Sequence, residues 1–160
     1  MKARGAVAGL LLAAGLAFPG AAAAQRREGV FGGPIYAGPR VGRDFENKAW
    51  SVGAQATAPL GGNLELRPSG DVFLRKGEGM GWQLNGDAAI VLGSSGSLYA
   101  GGGIALVHPD DADTETGYNL FFGLSSSAPQ QPTRGFLEFR WTFVDDTSPF
   151  RLALGFLYRL

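Results

Sequence analysis

From Ala49 to Leu60 the chain alternates without a slip. Trp50, Val52, Ala54, Ala56, Ala58 and Leu60 fall on one face, and Ser51, Gly53, Gln55 and Thr57 on the other. A two-residue period over that length predicts a β-strand lying between unlike environments. Gly61-Gly62-Asn63 follows as a tight turn. Leu64 to Leu74 repeats the pattern, with Leu64, Leu66, Val72 and Leu74 against Glu65, Arg67, Ser69 and Asp71. Met80 to Leu92 sets Trp82, Leu84, Ala88, Ile90 and Leu92 against Gln83, Asn85 and Asp87. Gly93 to Ser97 reads as a second short turn, and Tyr118 to Leu124 as another strand. Phe136 to Phe143 puts Leu137, Phe139, Trp141 and Phe143 opposite Glu138, Arg140 and Thr142. Phe150 to Leu160 puts Leu152, Leu154, Phe156, Tyr158 and Leu160 opposite Arg151, Ala153, Gly155 and Arg159. Leu98 to Val107 is also a strand, but Gly101-Gly102-Gly103 leaves its facing open; Ile35 to Gly42 makes a weaker first one. The count is eight.

Strands of about 8 to 13 residues exceed the usual five or six and approach the 9 to 11 of a tilted membrane-spanning strand. The connections alternate in chemistry. Arg43 to Lys48, Arg75 to Glu78, Pro109 to Thr116 and Asp145 to Pro149 carry charges, whereas those after the second and fourth strands are short and rich in glycine and serine. The sixth, Ser125 to Thr133, is longer but uncharged. Such alternation implies a sheet whose two ends meet different compartments.

Periodicity alone does not say which face points outward. A soluble barrel keeps its apolar face inside, and a membrane barrel inverts the assignment. Three features favour inversion. The apolar faces are continuous and carry aromatics near strand ends (Trp50, Trp82, Tyr118, Trp141, Tyr158), as interfacial girdles require. The polar faces are poor in lysine and rich in small or amide side chains. Their charges also balance: Glu65, Asp71, Asp87 and Glu138 against Arg67, Arg140, Arg151 and Arg159, with Arg40 as a further cation. Across a narrow lumen such groups can pair, which is the condition for burying them. Hydrocarbon admits strands only as closed barrels, and eight strands leave an interior roughly filled by side chains. The expectation is therefore a plugged barrel and a poor pore.

Residues 1–24 differ from the rest. Lys2 and Arg4 precede an uncharged apolar run from Gly5 to Phe18; Pro19-Gly20 breaks it, and Ala22-Ala23-Ala24 supplies small residues before Gln25. This is the pattern of a cleaved signal peptide, too short for a spanning helix. Export of residues 25–160 as one barrel domain is the expected organisation.

The last strand carries a more specific signal. Gly155-Phe156-Leu157-Tyr158-Arg159-Leu160 resembles the C-terminal assembly signal of the small outer-membrane β-barrel family, the OmpA/OmpX-type eight-stranded barrels. That signal has glycine, two variable residues, an aromatic, a variable residue and a terminal hydrophobe. Leu160 stands where phenylalanine is commonest, and Ala153 where a polar residue is usual. Ala37-Gly38-Pro39-Arg40-Val41-Gly42 looks like first strands of such barrels. The resemblance implies recognition of Gly155, Tyr158 and Leu160 by the outer-membrane assembly machinery.

Composition narrows the chemistry. The 160 residues include 14 basic and 14 acidic side chains, one histidine, no cysteine and 26 glycines. Zero formal charge removes the electrostatic case for nucleic acid. Without cysteine there is no disulfide, thiolate metal site or cysteine nucleophile. Mean hydropathy near zero, with no second long apolar run, argues against a helical membrane bundle. His108, at the end of the fifth strand beside Pro109, reads as an inert loop histidine, though a triad with Asp110 or Asp111 and a remote serine is conceivable. Asp110, Asp111, Asp113 and Glu115 lack the glycine and closing glutamate of a calcium loop. The glycine triplet lacks the lysine and helix of a phosphate cradle.

The expectation is an all-β, eight-stranded antiparallel up-and-down transmembrane β-barrel in the outer membrane of a Gram-negative envelope, both termini periplasmic. It is monomeric and contacts outer-membrane lipids, with a structural or surface-interaction role, no catalysis, and no cofactor or metal. Its lumen charge network comprises Glu65, Arg67, Asp71, Asp87, Glu138, Arg140 and Arg151. The rival is a soluble periplasmic lipocalin-like barrel, with Trp50, Trp82 and Phe139 lining an apolar ligand pocket.

Overall fold

The computed structural model describes residues 32–74, 80–92, 97–109, 113–126, 131–145 and 147–160. The leader, Arg75 to Glu78, most of the Gly93–Ser97 turn, Asp110 to Ala112 and part of the Ser125–Thr133 connection lie outside the described residues. Nine β-segments are described: β1 (Tyr36–Asp44), β2 (Trp50–Gly61), β3 (Leu64–Leu66), β4 (Ser69–Leu74), β5 (Met80–Leu92), β6 (Leu98–His108), β7 (Glu115–Ser125), β8 (Thr133–Phe143) and β9 (Phe150–Arg159). Every pairing between them is antiparallel; β3 and β4 both pair with β2 on one side and β5 on the other, and β1 pairs with both β2 and β9. The sheet therefore closes into an up-and-down barrel in which β3 and β4 are two halves of one stave. Eight staves result.

The break in the third stave corrects the continuous Leu64–Leu74 strand read from periodicity. Pro68 has no N–H to donate, and a proline inside a sheet interrupts the ladder. The gap stays bridged: Ala56 N donates to Pro68 O at 2.9 Å, and Arg67 N donates to Asp87 O at 2.8 Å. Alternation survives across it, so the same residues keep the same faces. Pro39 has a milder effect at the closure. The β1–β9 register runs from Ala37↔Tyr158 to Arg40↔Gly155 without pairs at Gly38 and Pro39, and does not slip. At the β2–β3 turn, Gly61 and Gly62 have φ of 112° and 57°, a left-handed geometry that favours glycine.

The faces are inverted relative to a soluble barrel. Leu84, Ile104 and Leu120 are 52%, 58% and 57% exposed, while Asp87, Glu138 and Arg140 are at most 1% exposed. Water would penalise that exterior, and hydrocarbon accepts it. Trp50, Trp82 and Phe139 all lie on the outward face, so they line no interior pocket, and the lipocalin-like arrangement is not what the chain builds. The open facing of β6 is settled too: Tyr99 and Ala105 point inward, Leu98, Ile104 and Leu106 outward.

The interior is layered along the barrel axis. At the end holding the β2–β3 turn, Tyr36, Phe136 and Leu157 form an apolar cluster, with Ala89, Tyr99 and Phe121 as a second. Charged and amide side chains fill the middle. At the opposite end, near the β1–β2 and β8–β9 connections, a cavity of about 280 Å³ is lined by Asp44, Phe73, Gln83, Val107, Glu115 and Arg151 among others. Aromatic side chains crowd the outside of that same end.

Candidate functional site: the lumen network and the outer wall

Strand alternation sends every second side chain of each stave inward, where a narrow barrel forces groups from distant strands together. Arg40 of β1 forks onto Asp71 of β4, Nε to Oδ1 at 2.9 Å and Nη2 to Oδ2 at 2.8 Å. Its Nη1 donates to Gln55 Oε1 at 2.8 Å and lies 3.7 Å from Glu138 Oε1. Arg151 of β9 reaches the same Asp71 Oδ2 at 3.2 Å and donates to Gln83 Oε1 at 2.7 Å. Arg140 donates to Glu138 Oε1 from Nε at 3.0 Å and from Nη2 at 2.8 Å. Its Nη1 sits 2.7 Å from Asp87 Oδ2, a charge contact without hydrogen-bond alignment. Planar guanidinium forks suit carboxylates in this way, and charge-assisted pairs are the stronger kind.

Amide and hydroxyl groups extend the network. Asn119 Nδ2 donates to Asp87 Oδ1 and Asn85 Oδ1, each at 2.8 Å. Thr142 Oγ1 donates to Asn119 Oδ1 at 3.0 Å, and Asn85 Nδ2 to Ser69 Oγ at 3.1 Å. Aromatic faces cover the cations: Arg140 lies 4.8 Å from the Phe121 ring and Arg151 4.4 Å from Phe73. The groups that cross the interior are thus paired, which offsets the cost of holding ions in a low-dielectric space.

Five residues of the sequence-read network (Asp71, Asp87, Glu138, Arg140, Arg151) lie in this central cluster. Glu65 and Arg67 sit apart, nearer the turn end. Arg67 Nη1 donates to Glu65 Oε2 at 3.2 Å, and its guanidinium covers Tyr99 at 3.7 Å. Tyr99 donates to Glu138 Oε2 at 3.3 Å and so links the two groups. Arg134, which periodicity missed, also meets Glu65 at 3.3 Å. It escaped notice because β8 begins at Thr133 and not at Phe136. Arg159 is a correction of the opposite kind. It has inward parity, but ends β9 at the rim and is exposed. Narrowness also explains glycine: a Cβ at Gly123 would overlap the Tyr99 ring, hydroxyl included.

In the last strand, Gly155 faces inward, where a Cβ would meet Pro39 O and, at 2.7 Å, the Phe136 ring. Tyr158 and Leu160 project outward at 54% and 70% exposure, and Leu160 N donates to Ile35 O at 2.9 Å. His108 also points outward, stacked on Trp82 with 5.3 Å between ring centres, and its Nδ1 lies 3.1 Å from Thr114 Oγ1. On β7, β8 and β9, Phe122 stacks on Phe139 at 5.0 Å, and Trp141 packs on Phe150 at 5.0 Å. Phe45, in the β1–β2 connection, extends the row, 5.5 Å from Phe150. Together they form an aromatic wall.

No family model matches the sequence, and no curated protein matches it. Solved structures do. The N-terminal β-barrel domain of Pseudomonas aeruginosa OprF matches with TM-score 0.65 at 18% identity, over 79% of this chain and 97% of that one. The chain has the fold of a small outer-membrane β-barrel. Neisserial surface protein A matches with TM-score 0.60 at 13% identity, covering 79% and 95% of the two chains. A de novo designed transmembrane β-barrel matches with TM-score 0.59 at 13% identity, covering 80% and 96%. The small-barrel scaffold is common to natural and designed chains, so its likeness fixes architecture and leaves function to the side chains.

Proposed function

We propose that this chain is an integral outer-membrane barrel whose lumen is plugged by its own side chains, serving a structural or surface-interaction role without catalysis. The observation that carries the reading is the buried network from Arg40 and Asp71 to Glu138, Arg140 and Asp87, which spans the interior from β1 to β8. An ion crossing that layer would have to displace paired charges, and the Tyr36, Phe136 and Leu157 cluster stands beyond it. The proposal extends to residues 1–24 as a cleaved leader, to a monomer with periplasmic termini, and to Gly155, Tyr158 and Leu160 as an assembly signal.

Purified full-length protein reconstituted in a planar lipid bilayer tests the plug. The expected result is no steady conductance above the protein-free bilayer; a stable open channel in wild-type protein overturns it. The assembly reading has a separate test. Tyr158→Ser with Leu160→Ser is expected to lower the yield of heat-modifiable barrel in the outer-membrane fraction, and normal yield would refute it.

A further inference from the structure

Alternation places nearly all charge on the strands inside the barrel. Among the described strand residues, Arg43 is the one charged side chain on the outward face: its β1 neighbours Arg40, Gly42 and Asp44 are the buried, inward ones. It pairs in register with Trp50 on one side and Leu152 on the other, and its guanidinium lies 5.2 Å from the Trp50 ring centre. The Phe45–Phe150 stack lies just beyond it, toward the loop end. Arg40, Arg67, Arg134, Arg140 and Arg151 each meet a carboxylate, but no described carboxylate forms an ion pair with Arg43. The adjacent Asp44 is turned inward, its oxygens accepting from Asn47 N at 2.8 Å and Asn47 Nδ2 at 3.1 Å.

An uncompensated cation on a hydrocarbon-facing wall is costly at mid-depth and tolerated near the interface, where it can reach a polar layer. The fork geometry of arginine matches phosphate, and an aromatic face holds the guanidinium in place. Leu152 and the ring of Phe150 offer an apolar surface beside it for an acyl chain. We propose that Arg43, seated on Trp50, binds the phosphate of a membrane-lipid headgroup at the loop end of the barrel. The inference rests on the membrane-barrel reading, and its test separates the two.

The full chain is folded in phosphate-free, sugar-headgroup detergent and offered phosphatidic acid or diacylglycerol with the same acyl chains. Retained lipid is read by native mass spectrometry, and folding by the heat-shifted band on a denaturing gel. Wild-type protein is expected to retain phosphatidic acid about fivefold better than Arg43→Gln, the effect of one basic residue on an anionic lipid. Arg43→Lys keeps part of that preference, and diacylglycerol shows none of it. Excess sodium phosphate displaces little of the lipid, because it lacks acyl chains. Equal retention by wild type and Arg43→Gln overturns the proposal, and so does full displacement by inorganic phosphate. Glu46→Gln is expected to change nothing; a fivefold rise would make Glu46 the anion that Arg43 meets, which also overturns it. Failure of the wild-type chain to give a heat-shifted band would strike the barrel reading instead.

Discussion

Arg140 and Trp141 are adjacent on β8, and their side chains leave the sheet in opposite directions. Arg140, 1% exposed, meets Glu138 and Asp87 inside; Trp141 packs among Phe122 and Phe150 outside. In a soluble protein the aromatic would be the buried one. Here the outer medium is itself apolar, so burying Trp141 in the barrel would gain little, and leaving Arg140 outside would be prohibitive. Interior residues are selected by whether their hydrogen bonds close, and exterior residues by tolerance of lipid. One face is a network in which partners depend on one another; the other is a collection of nearly independent contacts.

The largest effect should come from breaking the network at one point. Arg140→Met leaves Asp87 and Glu138 buried without their main cation and is expected to cost about 3–5 kcal/mol. Urea unfolding of the barrel in lipid vesicles, followed by tryptophan fluorescence, measures it. The sharper form adds Asp87→Asn and Glu138→Gln to the same chain. If mutual dependence is the rule inside, the triple variant is more stable than Arg140→Met alone, because no carboxylate is left unpaired. A triple variant that sums three separate losses would show that the interior is a set of independent contacts after all.

Next in size is a charge on the outer face. Leu120 lies at the middle of β7 and is 57% exposed. Leu120→Arg should destabilise the barrel by about 2–4 kcal/mol in bilayers, the cost of arginine near the midplane. In a soluble barrel an exposed leucine could be exchanged for arginine almost freely. An effect below about 0.5 kcal/mol in vesicle unfolding would therefore place this face in water and undo the contrast.

How much of this was legible in the sequence depends on which side of the alternation a residue occupied. The number of strands and the residues that share a face followed from period two, as in Trp50 to Leu60. The outward turn of the apolar face came instead from the aromatics near strand ends and the balanced charges opposite them. Pro68 escaped that reading because Arg67 and Ser69 keep the same parity across it, and parity carries no hydrogen-bond information. The glycines of β6 carry no side chain to show a facing, and Tyr99 settles it only through its contacts with Phe121 and Glu138. Charge balance pointed to a network, but the partners did not follow from it. Asp71 meets both Arg40 and Arg151 because β1, β4 and β9 converge across the lumen, at separations of 31 and 80 residues. Glu65 and Arg67 formed their own group for the same reason. Arg43 and Arg40 look alike in a list of charges and differ by three positions, which is a change of face.

The smallest expected effect tests the independence claimed for the outside. Phe139 stacks on Phe122 at 5.0 Å and lies 6.4 Å from Phe150. In a soluble core, Phe→Ala typically costs about 3–5 kcal/mol, part of it from the cavity left behind. On a lipid-facing wall no cavity remains, because acyl chains move into the space and restore the dispersion contacts. Phe139→Ala should therefore lose mainly the ring-stacking increment, about 0.5–1.5 kcal/mol, and Phe139→Leu less. Both are read by the same vesicle unfolding, at two protein-to-lipid ratios. A cost above about 3 kcal/mol that grows with protein density would mean that the aromatic wall packs against a second copy of the chain. The monomer proposed above would then fall, and the wall would follow the rules of the interior.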